Sequence, residues 1–327
     1  MLQIIRRSFE TQGLSDEVIK IILGAWRQGT VKQYNTTLLK WTVFCQEREK
    51  EIFITNIGEV LEFLNKLTKE DLSYSAINSA RSALSAFVQL EGAGSIPIGS
   101  HPLVSKFMKG LFNLRPPKPR YTHIWEVGPV LDLLRSWSPV KDLAMKTLTY
   151  KLTMLIALLA APRGQTLKAL RIDNMKIVGS DISFQIIDLL KTNRQGQKVG
   201  QEITLSAYPP DRRLCILTVL REYLNRTTEL REGKQQLLLC HNKPYVEASK
   251  DTLARWVRAT LGLAGVDTTT FKAHSVRSAS SSAALNASVP VADILDRVKW
   301  RSECTFRKFY NKPVRKADIY QQAILNS

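Results

Sequence analysis

The sequence predicts a mainly α-helical (α+β) protein of two domains, the second of which carries a small β-sheet. The chain has 327 residues, which is enough for about two domains of ordinary size. Apolar residues recur at spacings of three and four through the first third, and again after Val127. Between Ile182 and Leu205 the spacing of apolar residues shortens to two, which is typical of strands.

The first third of the chain is predicted to be helical throughout. Its apolar residues form one face through Tyr34, Leu38 and Trp41 and another through Ile57, Val60, Leu61, Leu64 and Leu67. Thr55 or Asn56 is suited to cap the second of these helices, because a short polar side chain can accept from the first free amides. A third helix begins near Ser73, and Pro102 opens a fourth that runs to about Leu114.

A basic, proline-rich stretch separates the two predicted domains. The run Arg115-Pro-Pro-Lys-Pro-Arg120 cannot continue a helix, since each proline removes a backbone donor and stiffens the chain. We therefore predict a helical domain over residues 1–114, a linker over 115–126 and a second domain over 127–327.

The second domain is predicted to be built around one buried helix. The stretch from Leu143 to Ala161 is long and mostly apolar, and it is predicted to be a fully buried core helix. A β-hairpin follows, with the polar segment Lys191 to Gln197 between its strands, and a brief strand is predicted at Leu237 to Cys240. Ser249 is placed to cap a later helix.

The charge of the chain favours a polyanionic partner. Lys and Arg number 47 against 29 Asp and Glu, which gives a net charge of +18 and a pI near 9.8. Nucleic acid is the leading candidate. The longest apolar stretch, Met154 to Ala161, is too short to span a bilayer, and no secretion signal is recognisable, so we expect an intracellular protein. The four cysteines are scattered and predict neither a disulfide framework nor a zinc site.

Several residues suit phosphoryl transfer, which needs cations at the non-bridging oxygens, a nucleophile and a proton donor for the leaving group. Arg163 follows the end of the buried helix, and Lys191 lies on the hairpin. His274 and Arg277 share one helix face, and Trp300 precedes Tyr310 in a strongly basic segment: Arg297, Lys299, Arg301, Arg307, Lys308, Lys312, Arg315 and Lys316. Each of these residues, taken by itself, can also be explained by a structural role: the lysine can be solvated, and the tyrosine can be a half-buried anchor of its helix.

Taken in order, Arg163, Lys191, His274-x-x-Arg277, Trp300 and Tyr310 resemble the catalytic set of tyrosine recombinases, the phage integrase family. The run Arg163-Gly-Gln-Thr-Leu-Lys-Ala-Leu is similar to the first arginine box of that family, although Lys299 stands where the family commonly has glycine. Trp300 to Pro313 resembles the recombinases of DIRS and Ngaro retroelements, with Crypton transposons more distant. The resemblance covers essentially the whole chain: its first third is similar to the family's helical, SAM-like core-binding domain, and Val127 onward to the catalytic domain.

The resemblance implies that the chain cuts and rejoins DNA at Tyr310 without a metal or nucleotide, so no cofactor is expected. It implies double-stranded DNA as partner, a homotetramer on paired DNA sites, and a nuclear location. Candidate DNA-binding residues lie on the third helix, in the linker and in the last basic segment: Arg81, Arg115, Lys118, Arg120, Arg301 and Arg307. Three alternatives stay open: a catalytically silent DNA-binding protein, a type IB topoisomerase, and an unrelated basic helical scaffold.

Overall fold

The computed structural model describes residues 5–6, 9–10, 13–91, 96–190, 193, 195–196, 199–300 and 302–313. The chain divides into two compact units, Met1–Pro119 and Arg120–Ser327. The second unit therefore begins inside the predicted linker. Residues 120–126 contribute Ile124 and Trp125 to its core. None of the helices in the described ranges is both long and apolar enough to cross a bilayer.

Helices make up most of the described part of the first unit. They are α1 (Asp16–Leu23), α2 (Gln28–Gln46), α3 (Ile57–Lys69), α4 (Tyr74–Phe87) and α5 (Pro102–Leu114). Four begin at a polar side chain that accepts from a backbone amide of the first turn: Ser15 for α1, Asn56 for α3, Ser73 for α4 and His101 for α5. Of the two N-caps predicted for α3, the structure uses Asn56.

The core of the first unit is organised by aromatic rings from α2 and α3. Trp41, Phe44 and Phe63 are fully buried, and their ring centroids lie 5.1 to 5.6 Å apart. The Trp41 indole donates to the carbonyl of Ile52 at 2.8 Å, which satisfies its one polar atom. Residues of both predicted apolar faces contribute to this core. Tyr34 is not among its buried residues, and its ring packs at a right angle to that of Phe87.

The first unit also contains a short parallel pairing that the sequence did not predict. Strand β1 (Ile54–Thr55) pairs with β2 (Gln89–Leu90). Two residues are too few to establish a period of two, so only the tertiary arrangement reveals this pairing.

The second unit is a set of helices around one central helix, with a small sheet. Its helices are α6 (Val127–Ser136), α7 (Met145–Leu159), α8 (Gly164–Lys168), α9 (Ile216–Thr227), α10 (Lys250–Leu263), α11 (Ser275–Asn286), α12 (Val291–Val298) and α13 (Glu303–Phe309). Helix α7 is the buried helix predicted from Leu143 to Ala161, and it packs against α9, α10 and α11. Ser249 caps α10, as predicted.

The sheet has three antiparallel strands in the order β3 (Met175–Val178), β4 (Asp181–Ile186) and β5 (Gln201–Ser206). Ile182 and Phe184 face the core, opposite Leu205 and Ile203. Strands β4 and β5 are the predicted hairpin. Strand β3 was not predicted, because its side chains alternate only between exposed and partly buried. The strand predicted at Leu237 to Cys240 is wrong: the structure has isolated β-bridges at Gln236 and Leu239 instead.

One lysine of α7 lies entirely within the core. The Lys151 side chain is fully buried, and its ammonium donates to the carbonyl of Trp137, just past the end of α6, at 2.5 Å. A cation at that position also complements the negative end of the helix dipole. Burial lowers the pKa of Lys151 to about 8, because the apolar surroundings disfavour the charged form.

We predict that Lys151 makes the stability of this unit depend on pH. A lysine whose pKa is lower in the folded state costs stability while it is charged, and the cost disappears as pH rises from about 8 toward 10.5. The free energy of unfolding of the wild type, relative to Lys151→Met, should therefore rise by about 2 kcal/mol between pH 7.5 and pH 10. Urea unfolding at several pH values measures this difference.

Lys146→Met is the matched control, since Lys146 is exposed on the same helix. Its unfolding free energy relative to wild type should not change with pH over this range. A Lys151→Met difference as flat as that of the control would contradict the prediction.

Candidate active site

Helix α11 carries two of the predicted catalytic residues at its start. His274 is its N-cap and Arg277 lies in its first turn. The indole of Trp125 donates to the Ser275 hydroxyl at 2.9 Å, which ties this end of the helix to the beginning of the second unit. The spacing of three residues brings the His274 and Arg277 side chains to the same region, as the sequence predicted.

Arg277 is buried, with 3% of its surface exposed, and is held by main-chain carbonyls from two other segments. Its Nη1 donates to the carbonyl of Ala161, and its Nη2 donates to that of Val298 at 2.6 Å. Burial, together with the nearby positive charge of Arg163, lowers the pKa of Arg277 to about 10. The guanidinium is therefore still charged at neutral pH.

Arg163 is positioned by the abrupt end of α7. After Leu159 the chain turns through Ala161, whose φ is +42°, and Pro162 prevents further helix. Arg163 is then extended and half-buried as the residue before α8. Since Ala161 accepts from Arg277, the same turn positions both arginines.

Trp300 and Tyr310 lie at the two ends of a short helical segment. Trp300 follows α12, and Tyr310 follows the seven-residue helix α13, which Ser302 caps. The Trp300 ring lies 4.3 Å from the Tyr310 ring and 5.3 Å from that of Phe306, measured between centroids. The Arg277 guanidinium lies 4.5 Å from the centroid of Trp300 and 5.9 Å from that of Tyr310.

The Tyr310 hydroxyl points toward His274. Its oxygen is 3.4 Å from Nε2 of the imidazole, and the two rings meet edge to face with centroids 5.9 Å apart. A hydroxyl next to an imidazole and a buried arginine is an arrangement in which a phenol can act as a nucleophile.

Buried donors are concentrated in this site. Within the described part of the chain, three buried side-chain nitrogens have no acceptor: Nε of Arg81, Nε of Arg277 and Nε1 of Trp300. Two of the three belong to side chains that contact the Tyr310 ring. Because an unpaired buried donor costs about 1–3 kcal/mol, such a pair is expected where an acceptor-rich ligand is to be bound.

The structure thus brings together Arg163, His274, Arg277, Trp300 and Tyr310. The sixth predicted residue, Lys191, lies outside the described residues, in the connection between β4 and β5. Sequence reasoning did not single out Ser282, a buried serine of α11 that bonds to the backbone on both sides of Asn311. A serine in a serine-rich helix carries no motif that would identify it.

The predicted DNA-binding residues differ in their surroundings. Arg81 is half-buried on α4, whereas Lys118 and Arg120 are exposed. Arg115 is paired with Asp71 at 2.5 Å and donates to the carbonyl of Thr68, so it also joins two helix ends within its own unit. Arg307 is exposed and paired with Glu303, and Arg301 lies outside the described residues. In the described ranges, no group of three His, Cys, Asp or Glu side chains is arranged to hold a metal ion.

Comparison with known proteins identifies the fold. Residues 22–91 match the family model of the phage integrase N-terminal SAM-like domain. No curated protein sequence matches the chain significantly. The structure is similar to that of the XerH site-specific recombinase bound to difH substrate in a pre-cleavage complex, with a TM-score of 0.54 and 18% identity over 83% of this chain and 70% of that one.

Two structures of lambda integrase are similar as well. A dimer bound to a COC′ core site has a TM-score of 0.54 and 14% identity, over 93% of this chain and 96% of that one. A tetramer bound to a Holliday junction has a TM-score of 0.51 and 12% identity, over 97% and 78%. The chain therefore has the tyrosine recombinase fold with an N-terminal SAM-like domain, and the predicted fold class is confirmed.

We predict that the side chain of Lys299, the residue before Trp300, strains the backbone at its own position. Lys299 has φ +53° at the end of α12, a left-handed conformation that glycine adopts without steric cost. Lys299→Gly should therefore be more stable than Lys299→Ala by about 1 kcal/mol in urea unfolding. Both variants lose the exposed ion pair with Asp296, so the comparison isolates the backbone effect. Equal stabilities would contradict it.

Proposed function

We propose that this protein is a site-specific DNA recombinase, or integrase, that cuts and rejoins DNA through a 3′-phosphotyrosyl intermediate at Tyr310. The observation that carries the proposal is the position of the Tyr310 hydroxyl, 3.4 Å from His274 and beside the buried guanidinium of Arg277. A DNA phosphate is an acceptor-rich anion that would satisfy the unpaired donors of Arg277 and Trp300.

Each residue of the site has a part in the proposed reaction. Arg163 and Arg277 bind the non-bridging oxygens of the scissile phosphate, and His274 and Trp300 donate hydrogen bonds to them. The two arginines neutralise the charge that develops on the phosphate in the transition state. Because Arg277 is held by two carbonyls before DNA binds, little reorganisation is needed when the phosphate arrives.

The proposed reaction is a transesterification: each step breaks one phosphate ester bond and forms another. The Tyr310 oxygen attacks phosphorus, its proton is lost to a base, and the bond from phosphorus to the 5′-oxygen breaks. By resemblance to the family, Lys191 gives the leaving 5′-oxygen its proton. A 5′-hydroxyl of another strand then attacks the phosphotyrosine and releases Tyr310, so the reaction consumes no nucleotide.

Rejoining to a new strand requires two cut DNA segments to be held close together. We therefore propose double-stranded DNA as substrate and a homotetramer on paired DNA sites as the active assembly. Support comes from the similar structures, which include a dimer of lambda integrase on a core site and a tetramer on a Holliday junction. The net charge of +18 is consistent with a polyanionic partner.

We further propose that the chain belongs to a mobile element of the DIRS or Ngaro type and acts in the nucleus. The support is the resemblance of Trp300 to Pro313, which holds Tyr310, to the recombinases of those elements.

Tyr310→Phe should abolish covalent attachment to DNA while leaving DNA binding unchanged, because phenylalanine keeps the ring packing and removes the nucleophilic oxygen. Duplexes that the wild type binds are first selected from a random library. Nicked versions of them, from which the cut product diffuses away, then trap the intermediate on denaturing gels. Wild type should form the covalent band and Tyr310→Phe should not.

Tyr208→Phe is the matched control, since Tyr208 is an exposed tyrosine of the same unit, and it should form the band as wild type does. A wild type that binds the selected duplexes but never attaches to them would overturn the enzymatic proposal in favour of a silent DNA-binding protein. Relaxation of supercoiled DNA without strand exchange would favour a topoisomerase.

DNA binding is predicted to weaken steeply with salt, because lysines and arginines release counterions from the phosphates that they contact. Lys118→Ala and Arg120→Ala should each reduce the slope of log affinity against log salt by about 0.9. Both side chains are exposed. Lys20→Ala, which changes an exposed lysine of α1 outside the predicted contacts, should leave the slope unchanged. Fluorescence anisotropy titrations at several salt concentrations measure the slopes. Identical slopes for all variants would show that Lys118 and Arg120 do not contact DNA phosphates.

A further inference from the structure

Tyr310 follows a helix too short to be stable by itself. Helix α13 has seven residues, whereas isolated helices shorter than about 12–15 residues are marginal in water. The position of the Tyr310 backbone must therefore come from contacts with the rest of the unit. Two side chains provide such contacts: the Trp300 ring, which packs on Tyr310, and Phe306, which is fully buried.

On the main-chain side, one buried hydroxyl bonds to the Tyr310 segment twice. Oγ of Ser282 donates to the carbonyl of Tyr310 at 3.1 Å and accepts from the amide of Lys312 at 3.2 Å. Only 1% of the Ser282 surface is exposed. A serine hydroxyl has one proton to donate and lone pairs to accept, so both hydrogen bonds can exist at the same time.

Ser282 lies on α11, the helix that begins at His274 and contains Arg277. A continuous helix keeps a fixed rise of 1.5 Å per residue, so Ser282 is about 7.5 Å along the axis from Arg277. The helix that supplies two phosphate-binding groups thus also holds the backbone of the nucleophile. A displacement of about 1 Å at a reacting group can cost about a hundredfold in rate.

We propose that Ser282 is a positioning residue for strand cleavage, which sets the distance between the Tyr310 hydroxyl and the phosphate bound by Arg277 and His274. This inference rests on the proposed recombinase function. Ser282 touches neither the phosphate nor the nucleophilic oxygen in this scheme, and acts only through the backbone of residues 310 to 312.

The test is single-turnover formation of the covalent DNA complex, with enzyme in excess over a nicked duplex. Ser282→Ala should lower the cleavage rate at saturating enzyme by about tenfold to a hundredfold, while the Kd for DNA changes by less than about twofold. Ser282→Thr keeps the hydroxyl and should restore the rate to within about threefold of wild type.

Ser281→Ala is the matched control. Ser281 is similarly buried on the same helix, but its hydroxyl donates to the carbonyls of Arg277 and Ser278 within that helix rather than to the tyrosine segment. It should cleave at the wild-type rate. Equal losses in Ser281→Ala and Ser282→Ala, or wild-type cleavage by Ser282→Ala, would overturn the proposal.

Hydrogen exchange provides a readout that does not depend on activity. Ser282→Ala should increase exchange at the Lys312 amide, which loses its acceptor, whereas the amides of Tyr310 and Asn311 still bond to the carbonyl of Phe306. Unchanged exchange at Lys312 would also count against the proposal. If the wild type forms no covalent complex, the proposed function itself fails. If the wild type forms the complex and Ser282→Ala forms it at the same rate, only the inference about Ser282 fails.

Discussion

The site depends on the burial of one charged side chain. The Arg277 guanidinium lies in the interior and bonds to two carbonyls, that of Ala161 beyond α7 and that of Val298 at the end of α12. A buried guanidinium without such partners would cost several kcal/mol, so these three segments must remain together for the unit to fold around it. The same bonds leave its Nε unpaired beside Trp300 and Tyr310. The stability of the unit and the proposed binding of a DNA phosphate thus depend on the same residue.

Around that charge, stacked aromatic rings and main-chain hydrogen bonds position Tyr310. The Trp300 ring contacts the Arg277 guanidinium and also the rings of Phe306 and Tyr310. Ser282 holds the main chain beyond α13, and the amide of Ile124 donates to the carbonyl of Pro313 at 2.9 Å. A short helix therefore obtains its position from the larger unit, which provides a physical reason for the tyrosine to lie beside its own chain's histidine.

Much of the fold was accessible from local rules. The caps Asn56 and Ser249, the largely buried helix α7 and the hairpin of β4 and β5 each follow from one side chain or one pattern of apolar residues. The errors have a common cause. The β1–β2 pair is too short to have a period, β3 is a partly exposed strand at the edge of the sheet, and Leu237 to Cys240 meets its neighbours only through isolated bridges. Each depends on a pairing partner distant in sequence.

The sequence by itself determined the elements, the excess of positive charge and the identities of the residues that suit phosphoryl transfer. It did so because helix and strand periods, caps and residue chemistry are local properties. Only the tertiary structure decided that Arg163, His274, Arg277, Trp300 and Tyr310 share one site, that Arg277 is buried, and that Ser282 bonds to the tyrosine segment. Those facts join residues up to about 150 positions apart, and only the packing of α7, α11, α12 and α13 brings them together.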